Sequence, residues 1–241
     1  MASEPPPPAA PGLLAGWKGA LLAGAVGVLI GGGAMLASSG YFVRSYLLEH
    51  PEVLPEAMER LQARRASETV VANRAAIETP FAGAWAGAKD GDVTLVEFFD
   101  YACTFCRRSN ADVDRLLKED ARLKVVWREW PVLGPDSEAA ARASLAAAQA
   151  GKFRAFHDRL YAAGRPTPDA LAKTQAELGV TPLGEEAAKG ELGRNYQLAN
   201  ALRATGTPTF VVGDRILQGA VGYDALKAAI AEARTGRPAA G

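Results

Sequence analysis

The residues of this sequence best suited to chemistry are its two cysteines, Cys103 and Cys106, which form a CxxC motif. A thiolate is both a nucleophile and a soft metal ligand, so such a pair can exchange disulfides or bind a metal such as Cu(I). The 241 residues hold no further cysteine, and the two histidines are His50 and His157. A disulfide-stapled fold needs several cysteine pairs and a structural zinc site needs four ligands. We therefore favour sulfur chemistry without a cofactor or a metal, and interpret His157 as a packing or surface residue.

The charge balance excludes some classes of partner. Lys and Arg together number 27, as do Asp and Glu, so the net charge is zero. Without a basic surplus the chain lacks the electrostatic footprint of a nucleic-acid-binding protein. It also lacks the acidic surplus that is typical of a disordered activator. Apolar residues make up 49% of the chain, which is enough to bury a core without disulfides.

The CxxC motif follows a predicted central strand and begins a predicted helix. Residues 93–99 are apolar on both alternating faces, as in a strand that is covered on both sides. A cysteine in the first turn of a helix faces unpaired N–H groups and the positive end of the helix dipole, which favour its thiolate. Cys106 lies one turn further in, where a resolving thiol is needed for disulfide exchange.

Glu97 is the one charged residue in this strand. It falls on the same row as Leu95 and Phe99, so the pattern predicts that it is buried. Because burial disfavours the charged form, we expect the pKa of Glu97 to be raised. The alternative is an edge strand that leaves Glu97 in water.

Further elements surround this strand and helix. A second strand is predicted over 123–132, and an alanine-rich helical region over 137–203 with Asp136 or Ser137 as its N-cap. Strand signals return over 209–217 with a Gly–Asp turn typical of a hairpin, and a final helix follows. The Thr207-Pro208 pair precedes the hairpin, where a cis peptide bond or an ordinary trans proline are both consistent with the pattern.

The N-terminal part has a different character. Residues 19–43 carry no charge, and 25 residues are enough to cross a membrane as a signal anchor. The Ala37-Ser38-Ser39 triplet would also fit cleavage of a signal peptide, and a buried soluble helix is a third interpretation. Residues 44–79 have the pattern of an exposed helical stalk, or of a helix packed on its own domain. We interpret 81–91 as a linker.

Four segments together resemble the DsbA-like thiol:disulfide oxidoreductases of the thioredoxin superfamily. The resemblance covers about residues 80–235 and extends to the branch that carries an N-terminal membrane or helical extension. It rests on the segments VEFFDYACTFC (96–106), REWPVLGPDSEAAARASLAA (128–147), FHDRLY (156–161) and GTPTFVVGDRILQGAVGYDAL (206–226).

This resemblance implies an α/β thioredoxin fold with an inserted α-helical domain, preceded by the transmembrane or signal segment and the stalk. By position, Cys103 would be the nucleophile and Cys106 the resolving cysteine. Pro208 would be the cis-proline that faces the motif, and Thr207 the residue whose backbone pairs with substrate. Glu97 would be the buried acid that shuttles protons for the inner cysteine.

The predicted domain organisation follows from these patterns. The six segments are a proline-rich tail (1–18), the signal anchor (19–43), the stalk (44–79), the first thioredoxin part (80–135), the helical insertion (136–203) and the second thioredoxin part (204–236).

The resemblance also implies a place and partners. The catalytic domain would lie in the bacterial periplasm, anchored to the inner membrane or released by cleavage. It would act as an oxidase or isomerase on exported proteins and exchange electrons with a membrane redox partner. A homo-oligomer through the stalk is a further expectation.

The Thr104-Phe105 dipeptide lacks the histidine of the strongest oxidases, and Thr207 is more typical of isomerases and reductases. Two alternatives stay open, a copper-handling protein that uses the same CxxC and an oligomeric scaffold.

Overall fold

A computed structural model describes residues 40–236 of the chain. The described residues belong to two compact units, which divide between Met58 and Glu59. The helices are α1 (40–49), α2 (Val53–Glu78), α3 (Thr104–Glu119), α4 (Pro135–Gln149), α5 (Phe153–Ala163), α6 (Pro168–Leu178), α7 (Glu185–Ala201) and α8 (Tyr223–Thr235). The strands are β1 (Trp85–Gly87), β2 (Val93–Phe99), β3 (Leu123–Glu129), β4 (Thr209–Val212) and β5 (Arg215–Gln218).

The first unit contains α1 and the start of α2. Large apolar side chains of α1, among them Tyr41, Phe42 and Tyr46, are exposed. The chain turns at 50–52 between the two helices, and Pro51 lies in this turn. Residues 1–39 lie outside the described part, and with them the proline-rich tail, the proposed cleavage site and all but the last four residues of the predicted membrane span. Between residues 40 and 236, no helix combines the length and apolar character needed to cross a membrane.

The five strands form one mixed sheet in the order β1-β3-β2-β4-β5. Strand β2 is central, as predicted, and pairs parallel with β3 and antiparallel with β4. A parallel pair requires a crossover connection, which α3 supplies between β2 and β3. The β4–β5 hairpin turns at Gly213-Asp214 as predicted, and Gly213 has the positive φ of 56° that such a turn requires.

Each face of the sheet is covered by its own set of helices. On the α3 face, defined here as the side packed by α3, α4, α5 and α8, Leu95 and Phe99 of β2 join a large apolar cluster. On the α2 face, packed by α2 and α7, Val96 and Phe98 join a second cluster. Successive side chains of a strand point to opposite faces, so one strand supplies both clusters. A thioredoxin-like α/β fold with a helical insertion is thereby confirmed.

The predicted linker over 81–91 is wrong in part, because these residues contain β1. Trp85 and Gly87 pair antiparallel with Val126 and Lys124 of β3. Ala84 is buried in the cluster of the α3 face. A three-residue strand that includes glycine has too short a pattern to be recognised, and its partner lies about 40 residues further along the chain.

The exposed-stalk interpretation does not hold for the C-terminal half of α2. Val70 and Ile77 are buried against the α2 face of the sheet, whereas Met58 and Leu61 are exposed. Burying one such aliphatic side chain contributes roughly 2 kcal/mol. The alternative interpretation, a helix packed on its own domain, therefore applies to the last part of α2.

Arg128 of β3 fixes the C-terminal end of α2. Its Nε donates to the carbonyl of Ile77 at 3.1 Å, and its Nη2 donates to the carbonyls of Ala76 and Thr79. Nη1 forms a buried ion pair with Glu191 of α7 at 3.0 Å. The last carbonyls of a helix have no N–H partners within the helix. The Arg128 side chain donates the hydrogen bonds that these carbonyls would otherwise lack.

The helical insertion consists of four helices, α4 to α7, as the alanine-rich pattern predicts in outline. Its predicted N-cap is wrong, because α4 begins at Pro135 with Gly134 as the N-cap residue. Proline is favoured at the first helical position, so Asp136 and Ser137 lie inside the first turn instead of before it. The second strand is also shorter than predicted and ends at Glu129, two residues before Pro131.

Candidate active site

The CxxC motif lies at the point where β2 ends and α3 begins. Cys103 is the N-cap residue of α3, with φ −77° and ψ 118°, and Cys106 lies in the first turn. The backbone N–H of Cys103 donates to the carbonyl of Asp100 at 3.1 Å, which closes the turn between strand and helix. The predicted placement of both cysteines at a helix start is confirmed.

The two thiols are free and differ in environment. Cys103 retains 6% of its surface exposed, whereas Cys106 has none. A hydrogen bond from the Cys106 thiol lowers the pKa of Cys103 to about 5, and the backbone N–H groups of Phe105 and Cys106 contribute in the same direction. Burial raises the pKa of Cys106 far above its ordinary range, with the Cys103 hydrogen bond and the charge of Glu97 as further causes. One sulfur is therefore prepared to attack near neutral pH, and the other holds its proton.

Glu97 lies on the α3 face of β2 and is completely buried. Its Oε2 accepts a hydrogen bond from the indole N–H of Trp127 at 3.1 Å, and its Oε1 has no partner. Burial raises the pKa of Glu97 to about 8, and the charge of Cys103 adds to the rise. The predicted burial and the predicted direction of the shift are confirmed. A carboxyl with this pKa can hold or release a proton near neutrality.

Thr207 and Pro208 lie opposite the motif. The peptide bond between them is cis, and the Cys103 Sγ lies 3.2 Å from the carbonyl oxygen of Thr207. The side-chain amide oxygen of Gln218 accepts hydrogen bonds from Thr205 and Thr209 and holds the loop in place. The structure thus brings Thr207 into contact with the sulfur of Cys103.

Asp100 is a site residue that the sequence analysis missed. Its carboxylate is buried and accepts three backbone hydrogen bonds, from Ala102 to Oδ1 and from Val132 and Leu133 to Oδ2. The carbonyl of the same residue accepts the Tyr161 hydroxyl at 3.0 Å. An aspartate that bonds the N–H two residues on is a recognised turn signal, so the Ala102 contact could have been anticipated. The long-range contacts to the loop after β3 leave no local signal.

A second buried acid, Glu129, was also missed. It ends β3 on the α3 face, opposite Phe99 of β2, and is 2% exposed. Neither carboxyl oxygen has a partner within hydrogen-bond distance and angle. Burial raises the pKa of Glu129 well above its ordinary value, and the Ser144 hydroxyl opposes this rise by a smaller amount. Two carboxyl groups with unpartnered oxygens therefore lie on the face of the sheet that carries the thiols.

His157 is a packing residue, which is one of the two alternatives predicted for it. It is 1% exposed and lies among aromatic rings, with the ring centroids of Tyr161 and Phe99 at 4.8 and 5.1 Å. Burial lowers its pKa well below the ordinary value of histidine. Over residues 40–236, no group of three or more histidine, cysteine, aspartate or glutamate side chains is arranged to hold a metal ion.

Two family profiles match the chain. The DSBA-like thioredoxin domain matches residues 94–231, and the N-terminal domain of the copper resistance protein ScsC matches residues 40–68. The first match spans more than half of the chain and includes β2, the CxxC helix, the helical insertion and the hairpin.

Individual relatives are consistent with these profiles. A linker-deletion mutant of Proteus mirabilis ScsC is 28% identical with a TM-score of 0.70, covering 80% of this chain and 92% of that structure. A thioredoxin-like oxidoreductase from Silicibacter pomeroyi DSS-3 is 36% identical with a TM-score of 0.60, covering 66% and 95%. The Na(+)/H(+) antiporter NhaA 3 of Salinispora tropica is 31% identical over 156 residues, 61% of this chain. The chain spans about a quarter of the length of that curated relative, 24%.

Proposed function

Because the chain belongs to the family of DSBA-like thioredoxin domains, which are thiol-disulfide oxidoreductases, we propose that it oxidises or isomerises disulfides of exported proteins. Cys103 and Cys106 would be the reacting pair. The observation that carries this proposal is the opposite shift of the two thiol pKa values, with Cys103 lowered to about 5 and Cys106 raised. Disulfide exchange needs one thiolate that attacks or leaves readily and a second thiol that resolves the mixed disulfide.

In the oxidising direction, a substrate thiolate attacks the Cys103 sulfur of the Cys103–Cys106 disulfide. The S–S bond breaks, a mixed disulfide forms between substrate and Cys103, and Cys106 leaves with the electron pair and takes up a proton. A second substrate thiolate then attacks the substrate sulfur and releases Cys103 as a thiolate. The substrate loses two electrons, and the dithiol of the protein holds them. The low pKa of Cys103 favours this step because a more acidic thiol leaves faster.

Isomerisation begins from the reduced pair. The Cys103 thiolate attacks a substrate disulfide, and the released substrate thiolate attacks another disulfide before Cys103 is displaced. Glu97 would supply the proton that Cys106 takes up when the Cys103–Cys106 disulfide opens, and would accept that proton when the disulfide closes again. Its pKa of about 8 allows both states near neutral pH.

The segment opposite the motif would orient the substrate. The carbonyl of Thr207 lies 3.2 Å from the Cys103 sulfur, so a substrate backbone that pairs with Thr207 would bring its own sulfur to the reacting atom. The adjacent Pro208 has no N–H and would leave this edge open to the substrate.

We further propose that the enzyme is held at the inner membrane by residues 19–43, or released from it by cleavage, with its catalytic domain in the bacterial periplasm. The uncharged 25-residue segment supports this location. A membrane redox partner would then restore the oxidised or reduced state of the pair. The exposed Tyr46, Leu48, Leu54 and Met58 support a homo-oligomer through the stalk.

The direct test is a trap. Replacing Cys106 with serine leaves Cys103 able to form a mixed disulfide that cannot be resolved, so exported proteins should remain covalently bound and be released by dithiothreitol. A protein with both cysteines replaced is the control and should trap nothing. If the single variant retains no exported protein, the proposed substrates are wrong.

A second measurement tests the thiol itself. Alkylation of Cys103 by iodoacetamide should rise through a midpoint near pH 5, because the reactive thiolate forms above its pKa. At pH 6 we expect a rate on the order of tenfold above that of an ordinary cysteine, since a larger thiolate fraction outweighs the lower nucleophilicity. A midpoint near pH 8.5 would contradict the proposed mechanism.

Copper handling is a second candidate. The match of residues 40–68 to the N-terminal domain of a copper resistance protein favours it, and two thiolates are suitable ligands for Cu(I). An anaerobic titration of the reduced protein against a competing Cu(I) chelator tests this candidate. Binding that the chelator abolishes at equimolar concentration, beside normal disulfide exchange, would reject it.

A further inference from the structure

The buried carboxylate of Asp100 connects two separate segments at the proposed site. Its Oδ1 accepts the N–H of Ala102 at 2.7 Å, in the turn that leads directly into Cys103. Its Oδ2 accepts the N–H groups of Val132 at 2.8 Å and Leu133 at 3.0 Å, in the loop that follows β3. One side chain therefore fixes the distance between the nucleophilic turn and the 131–134 loop.

The loop that Asp100 holds carries apolar side chains into solvent. Val132 is 42% and Leu133 is 53% exposed, although both backbone N–H groups are bonded to a buried carboxylate. Pro131 is also fixed, because its carbonyl accepts the hydroxyl of Tyr196. A loop with a fixed backbone and exposed apolar side chains offers contact area without the entropic cost of ordering the backbone upon binding.

We infer that Asp100 is a positioning residue, which places Val132 and Leu133 beside Cys103 so that apolar residues flanking a substrate cysteine contact them during exchange. This inference rests on the proposed function. Asp100 does not touch the sulfur of Cys103, and it would act through the segments bonded to its two oxygens. Its effect should therefore appear with peptide substrates and not with small reagents.

Asparagine at this position is the sharpest test. It has the shape of aspartate but keeps a single acceptor oxygen, so its NH₂ group must face one of the two segments that need an acceptor. The reduced Asp100→Asn protein is assayed at pH 8, where Cys103 is a thiolate, with iodoacetamide and with a disulfide-bridged peptide that has leucine and valine beside its cysteines. We expect the rate constant for the peptide to fall at least about tenfold through a higher KM, with less than about a twofold change for iodoacetamide.

Two further variants serve as comparisons. Asp136→Asn removes the same charge from an exposed position close to the same loop and should change neither rate. Exchanging both Val132 and Leu133 for serine alters only exposed side chains and should reproduce the loss with the peptide. Combined with Asp100→Asn, it should cause no further loss, because residues that act through one another are not additive.

Several results would overturn the inference. These are an equal loss with both reagents in Asp100→Asn, losses that multiply in the combined variant, or a wild-type peptide rate in the double-serine variant. The last result decides the matter even if Asp100→Asn fails to fold. A wild-type protein that reacts with iodoacetamide but with no disulfide would instead contradict the proposed function itself.

Discussion

The two faces of the central sheet differ in whether their buried ionisable groups have hydrogen-bond partners. Two neighbouring residues of β3, Arg128 and Glu129, show the contrast. Arg128 points to the α2 face, where its guanidinium donates hydrogen bonds to three carbonyls, Glu191 and Asn195. Glu129 points to the α3 face, where neither of its oxygens has a partner. Glu97 on the same face has one unpartnered oxygen.

A fully paired buried charge and an unpaired one have different consequences. The paired Arg128 keeps its charge and fixes α2 and α7 to the sheet, so it serves the fold. Glu97 and Glu129 on the α3 face are held where ionisation is unfavourable, which raises the pKa of both, that of Glu97 to about 8. Proton transfer requires such groups, and both of these carboxyls lie on the face of the sheet that carries the thiols.

The largest effect is expected on the α2 face. Arg128→Ala removes one of the two cations that pair with buried Glu191, the other being Arg194. It also leaves three carbonyls without their donor, so the free energy of unfolding should fall by about 3 kcal/mol. Urea unfolding measures this loss, and the rate of disulfide exchange per folded molecule should stay within about threefold of wild type. Arg142→Ala, which breaks a surface ion pair with Glu138, is the control and should cost less than about 0.5 kcal/mol. A loss below about 1 kcal/mol for Arg128→Ala would make the two faces equivalent.

A second effect is expected from Glu97, and it depends on pH. The folded pKa of about 8 lies above the ordinary 4.5, so the folded state binds this proton more tightly than the unfolded state. The resulting stability is complete below pH 4.5 and is lost as the pH rises to 8, roughly 2–4 kcal/mol in all. Unfolding of the disulfide form at pH 5 and pH 8 measures it, since the thiolate then makes no contribution.

Glu97→Gln cannot ionise and should remove the part of this pH dependence that Glu97 causes, so the difference between the two pH values should be smaller than in wild type. The matched control is Glu138→Gln on the surface, which should retain the wild-type difference between the two pH values. An equal loss of stability in wild type and Glu97→Gln would show that another group is responsible.

A third effect is expected from Glu129, and its direction distinguishes the two faces of the sheet. Because burial raises the pKa of Glu129, its ionisation favours the unfolded state, so we expect Glu129→Gln to be more stable than wild type at pH 8 and equally stable at pH 4. Glu191→Gln on the α2 face should instead be destabilising at both pH values, because it removes the anion that pairs with Arg128. Chemical denaturation compares the two variants, and a loss for Glu129→Gln would contradict the contrast.

Elements whose pattern is local were predictable from the sequence. The central strand, the cysteine-bearing helix start and the Gly213-Asp214 hairpin each follow from a few adjacent residues, and the structure confirms all three. The burial of Glu97 followed from its row in β2. The resemblance supplied the positions of Thr207 and Pro208, which pattern alone left open.

Features that depend on distant partners were not predictable. Strand β1 forms because it pairs with β3. The role of Asp100 depends on the 131–134 loop, whose backbone N–H groups donate to its carboxylate. The C-terminal half of α2 looked exposed because few of its residues are apolar, yet Val70 and Ile77 meet the sheet and Arg128 binds its end. In each case the deciding contact lies more than about 30 residues away in sequence.

The hydrogen bonds from Arg128 to the end of α2 also determine where a protease can cut this helix and leave the reactive domain folded. Arg64 and Arg65 are exposed, and cutting after either of them removes no residue of the α2-face cluster. Cutting after Arg74 would take Val70 away and leave Ile77 on a stub of helix. Limited trypsin digestion should therefore yield a fragment that begins near residue 65 and remains folded. Such a cut would release the whole reactive domain without opening its core.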